Sequence, residues 1–278
     1  MENSLNSSIV ELLGNVRRTK PLVHHITNYV TVNDCANATL AIGASPIMAD
    51  DIEEAAEITA ISSALVLNIG TLNKRTVESM IAAGKEANNR GIPVILDPVG
   101  AGASELRNET VRRLLAELRF SVIRGNMSEI RYIAGLRATT KGVDASEADL
   151  ENSMQSGMDI ARALANQYHC TIAITGATDI VSDGKSVFCV ENGHPMLSSI
   201  TGTGCMCTSL IGSFCGITTD YRMAAVAGLL CMGIAGENAY EAAGQQGNGS
   251  YRVAIIDEIS KLSPETINRR ASVYEARV

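Results

Sequence analysis

Short runs of apolar, often β-branched residues alternate with amphipathic segments along the chain. The apolar runs predict strands at 22–26, 64–69, 92–97, 121–123 and 171–175. The amphipathic segments carry apolar residues at steps of three and four, which predicts helices at 31–42, 52–62, 73–90, 108–118, 128–134 and 152–167. Strands that alternate with helices predict an α/β fold, in which helices cover both faces of a mainly parallel sheet.

Residues 178–191 depart from this alternation. Two short β-branched runs flank Asp183-Gly184, a dipeptide that is typical of tight hairpin turns. We therefore expect an antiparallel edge on the otherwise parallel sheet. No linker and no internal repeat interrupts the sequence, so residues 1–278 are predicted to form a single domain.

Polar residues stand where the predicted strands end. They are Asn28, Asn68, Asp97, Arg124, Asn126 and Thr175. The carboxyl ends of parallel strands meet at one edge of a sheet, and ligands bind there in open α/β folds. We therefore expect Asn28, Asp97, Arg124, Asn126 and Thr175 to face a common ligand site.

The segment 200–205, Ile-Thr-Gly-Thr-Gly-Cys, precedes an apolar helix predicted at 206–214. Glycines permit a tight turn and the first N–H groups of a helix attract anions, so this loop is a candidate phosphate site. Cys207 stands where a dinucleotide fingerprint needs its third glycine, and the chain has no Gly-Lys-Ser/Thr of a P-loop. Cys205 at a helix start is expected to ionise more easily than an ordinary thiol and to guide a proton beside phosphate. This combination points to phosphoryl transfer to an alcohol.

Phosphoryl transfer also needs a divalent cation and a positive group near the phosphates. Asp97 closes an apolar strand, and the segment from Asn126 to Glu129 begins a predicted helix. Two readings are open for Glu129, a place near hydrated Mg²⁺ or a helix cap formed with Asn126. Asp97 suits either a ligand or an Asp-Pro turn, and Arg124 suits either phosphate or an ordinary ion pair.

The composition of the chain limits the kinds of ligand and partner that are expected. The 278 residues are 46% hydrophobic and carry a net charge of −7, which argues against nucleic acid or an anionic membrane and favours small-molecule ligands. Seven cysteines without metal or disulfide spacing, and a first ten residues unlike a signal peptide, predict a cytoplasmic protein. The uncharged stretch 223–236 predicts a helix covered on all sides, either by the core alone or by the core and a second subunit, and favours a homo-oligomer.

Five segments, in order along the chain, resemble the hydroxyethylthiazole kinase family. They are Val-His-His-Ile-Thr-Asn at 23–28, Ser-Pro-Ile-Met-Ala-Asp at 45–50, Leu-Asp-Pro-Val-Gly-Ala at 96–101, Arg-Gly-Asn-Met-Ser-Glu-Ile at 124–130 and Ile-Thr-Gly-Thr-Gly-Cys at 200–205. Cys205 is the most specific residue, because ribokinase-like sugar kinases usually carry Asp there. His25 and Cys207 depart from the family pattern at positions without a proposed role. The resemblance implies a ribokinase-like three-layer α/β/α fold.

The resemblance also implies ATP-dependent, Mg²⁺-assisted phosphorylation of 4-methyl-5-(2-hydroxyethyl)thiazole, a salvage step in thiamine biosynthesis. The implied site consists of Asn28, Met48 and Gly202 at the thiazole alcohol, Arg124, Thr175 and Gly204 at ATP, Asp97 and Glu129 on the Mg²⁺ side, and Cys205 as the catalytic residue. It further implies a homotrimer whose active sites lie at subunit interfaces.

Other functions stay open at this stage. Cys205 on a sharp turn also suits a cysteine-nucleophile hydrolase or acyltransferase, with His24, His169 or His194 as its base. A non-catalytic oligomeric binding protein would bind the same ligands without turnover. A pyrimidine kinase of the same fold is the nearest alternative kinase.

Overall fold

A computed structural model describes residues 2–136 and 147–276 of the chain. Its strands are β1 (Leu22–Ile26), β2 (Ser45–Met48), β3 (Ala64–Asn68), β4 (Val94–Asp97), β5 (Val122–Asn126), β6 (Thr171–Thr175), β7 (Asp179–Ser182), β8 (Val187–Val190) and β9 (Val273–Ala276). They form one sheet in the order β2-β1-β3-β4-β5-β6-β7-β8-β9. The strands from β2 to β6 are parallel, and those from β6 to β9 pair antiparallel. The predicted parallel sheet with an antiparallel edge is confirmed.

Helices connect most of the strands. They are α1 (Glu2–Thr19), α2 (Val32–Ile42), α3 (Ala55–Ala60), α4 (Lys74–Arg90), α5 (Glu105–Glu117), α6 (Met127–Ile133), α7 (Glu147–Tyr168), α8 (Thr203–Cys215), α9 (Tyr221–Ala243), α10 (Asn248–Lys261) and α11 (Pro264–Arg270). Short 3-10 turns occupy Pro195–Ser199 and Gly244–Gln246. Each predicted helix is present with shifted ends, and the predicted helix at 52–62 is shorter, Ala55–Ala60.

The sequence patterns missed both edge strands and the helices α1, α10 and α11. Strand β2 contains Pro46, which lacks a backbone N–H and is tolerated at the edge of a sheet, where one side needs no partner. Strand β9 is a four-residue segment that pairs with β8 at the opposite edge. Both edge strands are stabilised by backbone pairing with strands that are distant in sequence. The local pattern of apolar residues does not reveal such pairing.

Alternate residues of each strand enter two separate cores, one on each face of the sheet. Val66 packs into the core that contains α1, α2, α8, α9 and α10. Leu65 and Leu67 enter the other core, with α4, α5 and α7. The fold is thus a three-layer α/β/α arrangement, as expected.

Helix α9 lies in the interior of the protein. The stretch 221–246 has the length and apolar character of a membrane span, yet 83% of its most apolar window is buried inside the fold. All residues from 223 to 236 are buried against this chain's own elements. This stretch therefore needs no second subunit to cover it, because α8, α10 and the sheet already do so.

Two adjacent histidines on β1 are buried on opposite faces of the sheet. His24 Nδ1 lies 2.8 Å from the Thr59 hydroxyl and its Nε2 lies 2.7 Å from the Ala49 carbonyl oxygen. His25 Nδ1 lies 3.0 Å from the carbonyl oxygen of Val23. Burial lowers the pKa of His24 and lowers that of His25 to about 4, because the charged imidazolium loses its hydration. Both rings are neutral structural groups at physiological pH.

Acid should therefore weaken the fold through His25. Between pH 6.5, the ordinary pKa, and about 4, the unfolded chain binds a proton at this residue that the folded chain does not. The free energy of unfolding should fall with decreasing pH, by up to ~1.4 kcal/mol per unit for this residue. Urea unfolding at several pH values measures the slope, which His25→Asn should flatten. His169→Asn alters an exposed side chain and is the control; parallel curves for His25→Asn and the native protein would contradict the prediction.

Candidate active site

The predicted site residues converge at the carboxyl ends of the parallel strands, an edge we call the rim. Asn28 follows β1, Asp97 ends β4, Arg124 lies in β5 and Thr175 ends β6. The first turn of α8 approaches the same rim and brings Cys205 within 3.3 Å of the Asn28 amide nitrogen. The structure therefore brings together the residues that the strand-end argument singled out.

The glycines before and within α8 permit close contacts. Gly202 is the N-cap of α8 with φ of 88°, and a Cβ there would lie 2.4 Å from a methyl carbon of Thr31. A Cβ on Gly204 would lie 2.7 Å from Nη1 of Arg124. The guanidinium thus lies directly over the helix backbone, which is possible only without a side chain at 204. No side chain caps the N-terminus of α8, so its N–H groups face the rim without a side-chain partner.

Cys205 lies in the first turn of α8 and its sulfur receives two amide donors. The Nδ2 atoms of Asn28 and Asn68 lie 3.3 and 3.2 Å from Sγ. Burial and the nearby carboxylate of Asp97 raise the pKa of the Cys205 thiol, although these donors and Thr31 oppose the shift. Burial and the neighbouring negative charge thus oppose the easier ionisation that was expected from the helix start.

Asn68 is the site residue to which the sequence argument assigned no role. Its Oδ1 accepts hydrogen bonds from Asn28 Nδ2 at 3.0 Å and from the Gly70 backbone N–H at 2.8 Å. Its Nδ2 donates to Asp97 Oδ2 at 2.9 Å as well as to Cys205. This buried amide joins the thiol to the carboxylate. Its position at the end of β3 was the only sequence signal for it.

Asp97 is fully buried and carries one unsatisfied oxygen. Its Oδ2 accepts from Thr208 Oγ1 at 2.8 Å and from Asn68, whereas Oδ1 has no hydrogen-bond donor in the described part of the chain. Burial raises the pKa of Asp97 to about 6, against the opposing effect of Arg124 with Nη1 3.8 Å from Oδ1. Burial also acts to lower the pKa of Arg124, but Asp97 together with Cys207, Asp179 and Glu129 outweighs it, and the pKa is raised. Arg124 remains charged and donates to Thr175 Oγ1 at 2.8 Å.

Glu129 forms the helix cap that the sequence left open. The Asn126 side chain accepts from the Glu129 backbone N–H at 3.0 Å, and Glu129 Oε2 accepts from the Asn126 backbone N–H at 2.8 Å. Its other oxygen, Oε1, accepts from the Gly100 backbone N–H at 2.8 Å. Glu129 therefore ties α6 to the loop that follows Asp97. Each carboxylate oxygen of Glu129 keeps a free lone pair, so the helix cap does not prevent Glu129 from interacting with a metal ion or with its bound water.

Two cavities open along the rim. The larger, of about 550 Å³, is lined by Arg124, Thr175 and Gly204, by most of the segment 192–198 and by α9. The smaller, of about 170 Å³, is lined by Met48 and His25 together with Tyr29. Their sizes fit a nucleotide and a small heterocycle, respectively.

A cysteine-nucleophile site is not assembled. The residues that hydrogen-bond Cys205 in the described ranges include no histidine. His24 is held by Thr59 and Ala49, and the ring of His194 stacks on Tyr240 at 3.6 Å between centroids. His169 lines a third cavity beside the amino ends of β5 and β6, at the opposite edge of the sheet.

Comparison with known proteins agrees with this geometry. Residues 13–265 match the family described as HK: Hydroxyethylthiazole kinase family. The chain is 63% identical over 267 residues to the hydroxyethylthiazole kinase of Ruminiclostridium cellulolyticum, which covers 96% of this chain and 97% of that protein. It superposes on the solved hydroxyethylthiazole kinase of Pyrococcus horikoshii OT3 with a TM-score of 0.88 and 38% identity, covering 98% and 100% of the two chains.

The fold has more distant relatives. A ribokinase-like superfamily protein from Enterococcus faecalis superposes with a TM-score of 0.61 at 10% identity, with 87% of each chain covered. This similarity concerns the fold alone and agrees with the ribokinase-like architecture expected from the sequence. Together with the match over residues 13–265, the comparisons establish that this chain belongs to the hydroxyethylthiazole kinase family.

Proposed function

We propose that this protein transfers the γ-phosphate of ATP to the hydroxyl of 4-methyl-5-(2-hydroxyethyl)thiazole, a salvage step in thiamine biosynthesis. The observation that carries the proposal is the place of Cys205. It follows Gly204 of the larger cavity and contacts Asn28, which lies between Thr27 and Tyr29 of the smaller cavity. A donor in one cavity and an acceptor in the other would meet at this point.

In this proposal the nucleotide occupies the larger cavity. The N–H groups at the start of α8 and the guanidinium of Arg124 bind its phosphates, because both are positive groups that need no rearrangement. Thr175 fixes Arg124 through a hydrogen bond of 2.8 Å. Gly204 allows the guanidinium and the phosphates to approach the helix backbone. The same groups stabilise charge that develops during transfer.

The residues at the rim fit Mg²⁺. Within 2–136 and 147–276, no three His, Cys, Asp or Glu side chains form a closed metal site. Mg²⁺ bound with nucleotides needs only one or two protein carboxylates, since water and phosphate supply the other ligands. The unpartnered Oδ1 of Asp97 is such a ligand, and Glu129 would act through a bound water. When bound, Mg²⁺ neutralises phosphate oxygens.

The smaller cavity would hold the heterocyclic alcohol. Met48 supplies a flexible apolar wall, and Asn28 and Gly202 border the path to Cys205. The neutral Cys205 thiol would orient the hydroxyl, and the two amide donors on its sulfur would stabilise negative charge if the proton moves there. The alcohol proton leaves late in a loose transition state, so a strong base is not required.

We further propose a homotrimer with active sites at its subunit interfaces. Tyr29, Val30 and Leu40 are 80%, 56% and 57% exposed, and Val253 on the adjacent α10 is 61% exposed. Clustered exposed apolar side chains are typical of protein interfaces. Tyr29 also lines the smaller cavity, so a neighbouring subunit on this surface would help to close it.

All seven cysteines are free, which favours a cytoplasmic location.

The first test is Mg²⁺-dependent ADP release with the thiazole alcohol or with a hydroxymethylpyrimidine alcohol as acceptor, followed by product mass. We expect the thiazole alcohol alone to gain a phosphate. Turnover with only the pyrimidine would contradict the proposed acceptor but support the proposed kinase activity. Absence of ADP with both acceptors would contradict a kinase and favour a binding protein.

Removal of the Cys205 thiol should affect turnover more than ATP binding. For Cys205→Ala we expect kcat to fall on the order of tenfold to a hundredfold because the acceptor oxygen loses its positioning group. The Kd for Mg·ATP should stay within about twofold, since the phosphate donors of α8 are backbone groups. Cys170→Ala removes a buried thiol at the other edge of the sheet and serves as the control. An unchanged kcat would eliminate the proposed role.

Asp97→Asn should weaken the dependence on Mg²⁺. The amide is isosteric but neutral, so a divalent cation gains less from it and the activity should fall by about tenfold or more. Initial rates over a Mg²⁺ titration measure both the maximum rate and the concentration at half-saturation. Asp159→Asn makes the same chemical change on the exposed face of α7 and should behave as the native enzyme. Full activity of Asp97→Asn at low Mg²⁺ would remove Asp97 from the metal side.

A further inference from the structure

The cavity proposed for the nucleotide contains an acidic side chain with no role so far. Asp179 is the only acid among the described residues that line it. Asp179 lies near enough to Arg124 to help raise its pKa, but a carboxylate repels phosphate, so Asp179 itself is unsuited to bind the phosphates. Hydroxyl groups are the other polar feature of a nucleotide that a carboxylate binds well.

One oxygen of Asp179 is used by the fold and the other is not. Oδ1 accepts from the Gly176 backbone N–H at 2.9 Å and thereby closes the turn between β6 and β7. Oδ2 accepts no hydrogen bond from the part of the chain that the structure describes, and it is not among the buried atoms without partners. It is therefore accessible from the cavity. Burial raises the pKa of Asp179 to about 6, so the group is still mainly a carboxylate at neutral pH.

The sheet order places Asp179 between the two ends of the cavity. Arg124 in β5 and Thr175 at the end of β6 form the phosphate end. The loop 192–198 follows β8 and forms the far end with Leu229 and Met232 of α9, an apolar surface suited to a flat base. Asp179 begins β7, the strand between β6 and β8.

Adjacent strands are about 4.8 Å apart. The distance from one strand end to the next along the rim is therefore comparable to the size of one component of a nucleotide, which is a phosphate, the sugar or the base. Only the sugar lies between the phosphates and the base of a nucleoside triphosphate. A carboxylate at the start of β7 would therefore face the sugar hydroxyls. In nucleotide sites, Asp and Glu side chains commonly bind the paired hydroxyls of ribose.

We infer that Asp179 Oδ2 accepts hydrogen bonds from the ribose hydroxyls of the bound nucleotide and so makes the site selective for ribonucleotides. This inference rests on the proposed function only in that a nucleotide occupies the larger cavity. The turn bond of Oδ1 to Gly176 holds the carboxylate in place.

Calorimetric titration of Mg·ATP and Mg·2′,3′-dideoxy-ATP, without acceptor, tests the inference. We expect the native protein to bind ATP about tenfold or more tightly than the dideoxy nucleotide, since hydrogen bonds to charged groups are the strong ones. Asp179→Ala should bind both nucleotides equally. Asp179→Asn keeps an acceptor for Gly176 and should lose most of the preference, which covers the case in which the alanine variant does not fold. Asp183→Asn, at the other end of β7, is the matched control and should retain the full preference.

Equal binding of the two nucleotides by the native protein would overturn the inference. So would a loss of affinity for both nucleotides by the same factor in Asp179→Ala and Asp179→Asn, since that indicates a structural role. These results are independent of acceptor turnover. A ribose preference that depends on Asp179 in a protein that phosphorylates neither alcohol would leave the inference standing and defeat the proposed function. Absence of nucleotide binding would overturn both.

Discussion

The site depends on one buried amide, that of Asn68. It donates to Asp97 and to Cys205 and accepts from Asn28, so it connects strand β4, helix α8 and the segment that follows β1. Buried polar groups are stable only when their hydrogen bonds are satisfied, and this network satisfies most of them internally. The exception is Oδ1 of Asp97, which is the oxygen that we propose as a ligand of Mg²⁺.

The same burial decides the protonation of the site. Desolvation raises the pKa of the Cys205 thiol and of Asp97, and Arg124 supplies the compensating positive charge for the carboxylate. The thiol beside the rim is therefore neutral at physiological pH. A hydrolase mechanism would need a thiolate beside a histidine, and neither is arranged at Cys205 in the described residues.

The change from parallel to antiparallel strands decides which segments reach the rim. The parallel strands β1, β3, β4 and β5 bring Asn28, Asn68, Asp97 and Arg124 together at their carboxyl ends. Beyond β6 the strands reverse direction, so the start of β7 and the end of β8 reach the same rim. This reversal lets the turn at Asp179 and the loop after β8 line the larger cavity.

The sequence by itself determined the alternation of strands and helices, the antiparallel edge and the residues at the strand ends. These features are local, since they depend on periodicity, turn residues and where an apolar run stops. The cap formed by Asn126 and Glu129 was also readable as one of two alternatives, because its spacing is short. Only the tertiary structure decided that Asn68 links Cys205 to Asp97, that burial raises the pKa of the thiol, and that Pro46 lies in an edge strand. Hydrogen-bond partners distant in sequence, and the desolvation of a charge, arise only when the chain is packed, so no local pattern encodes them.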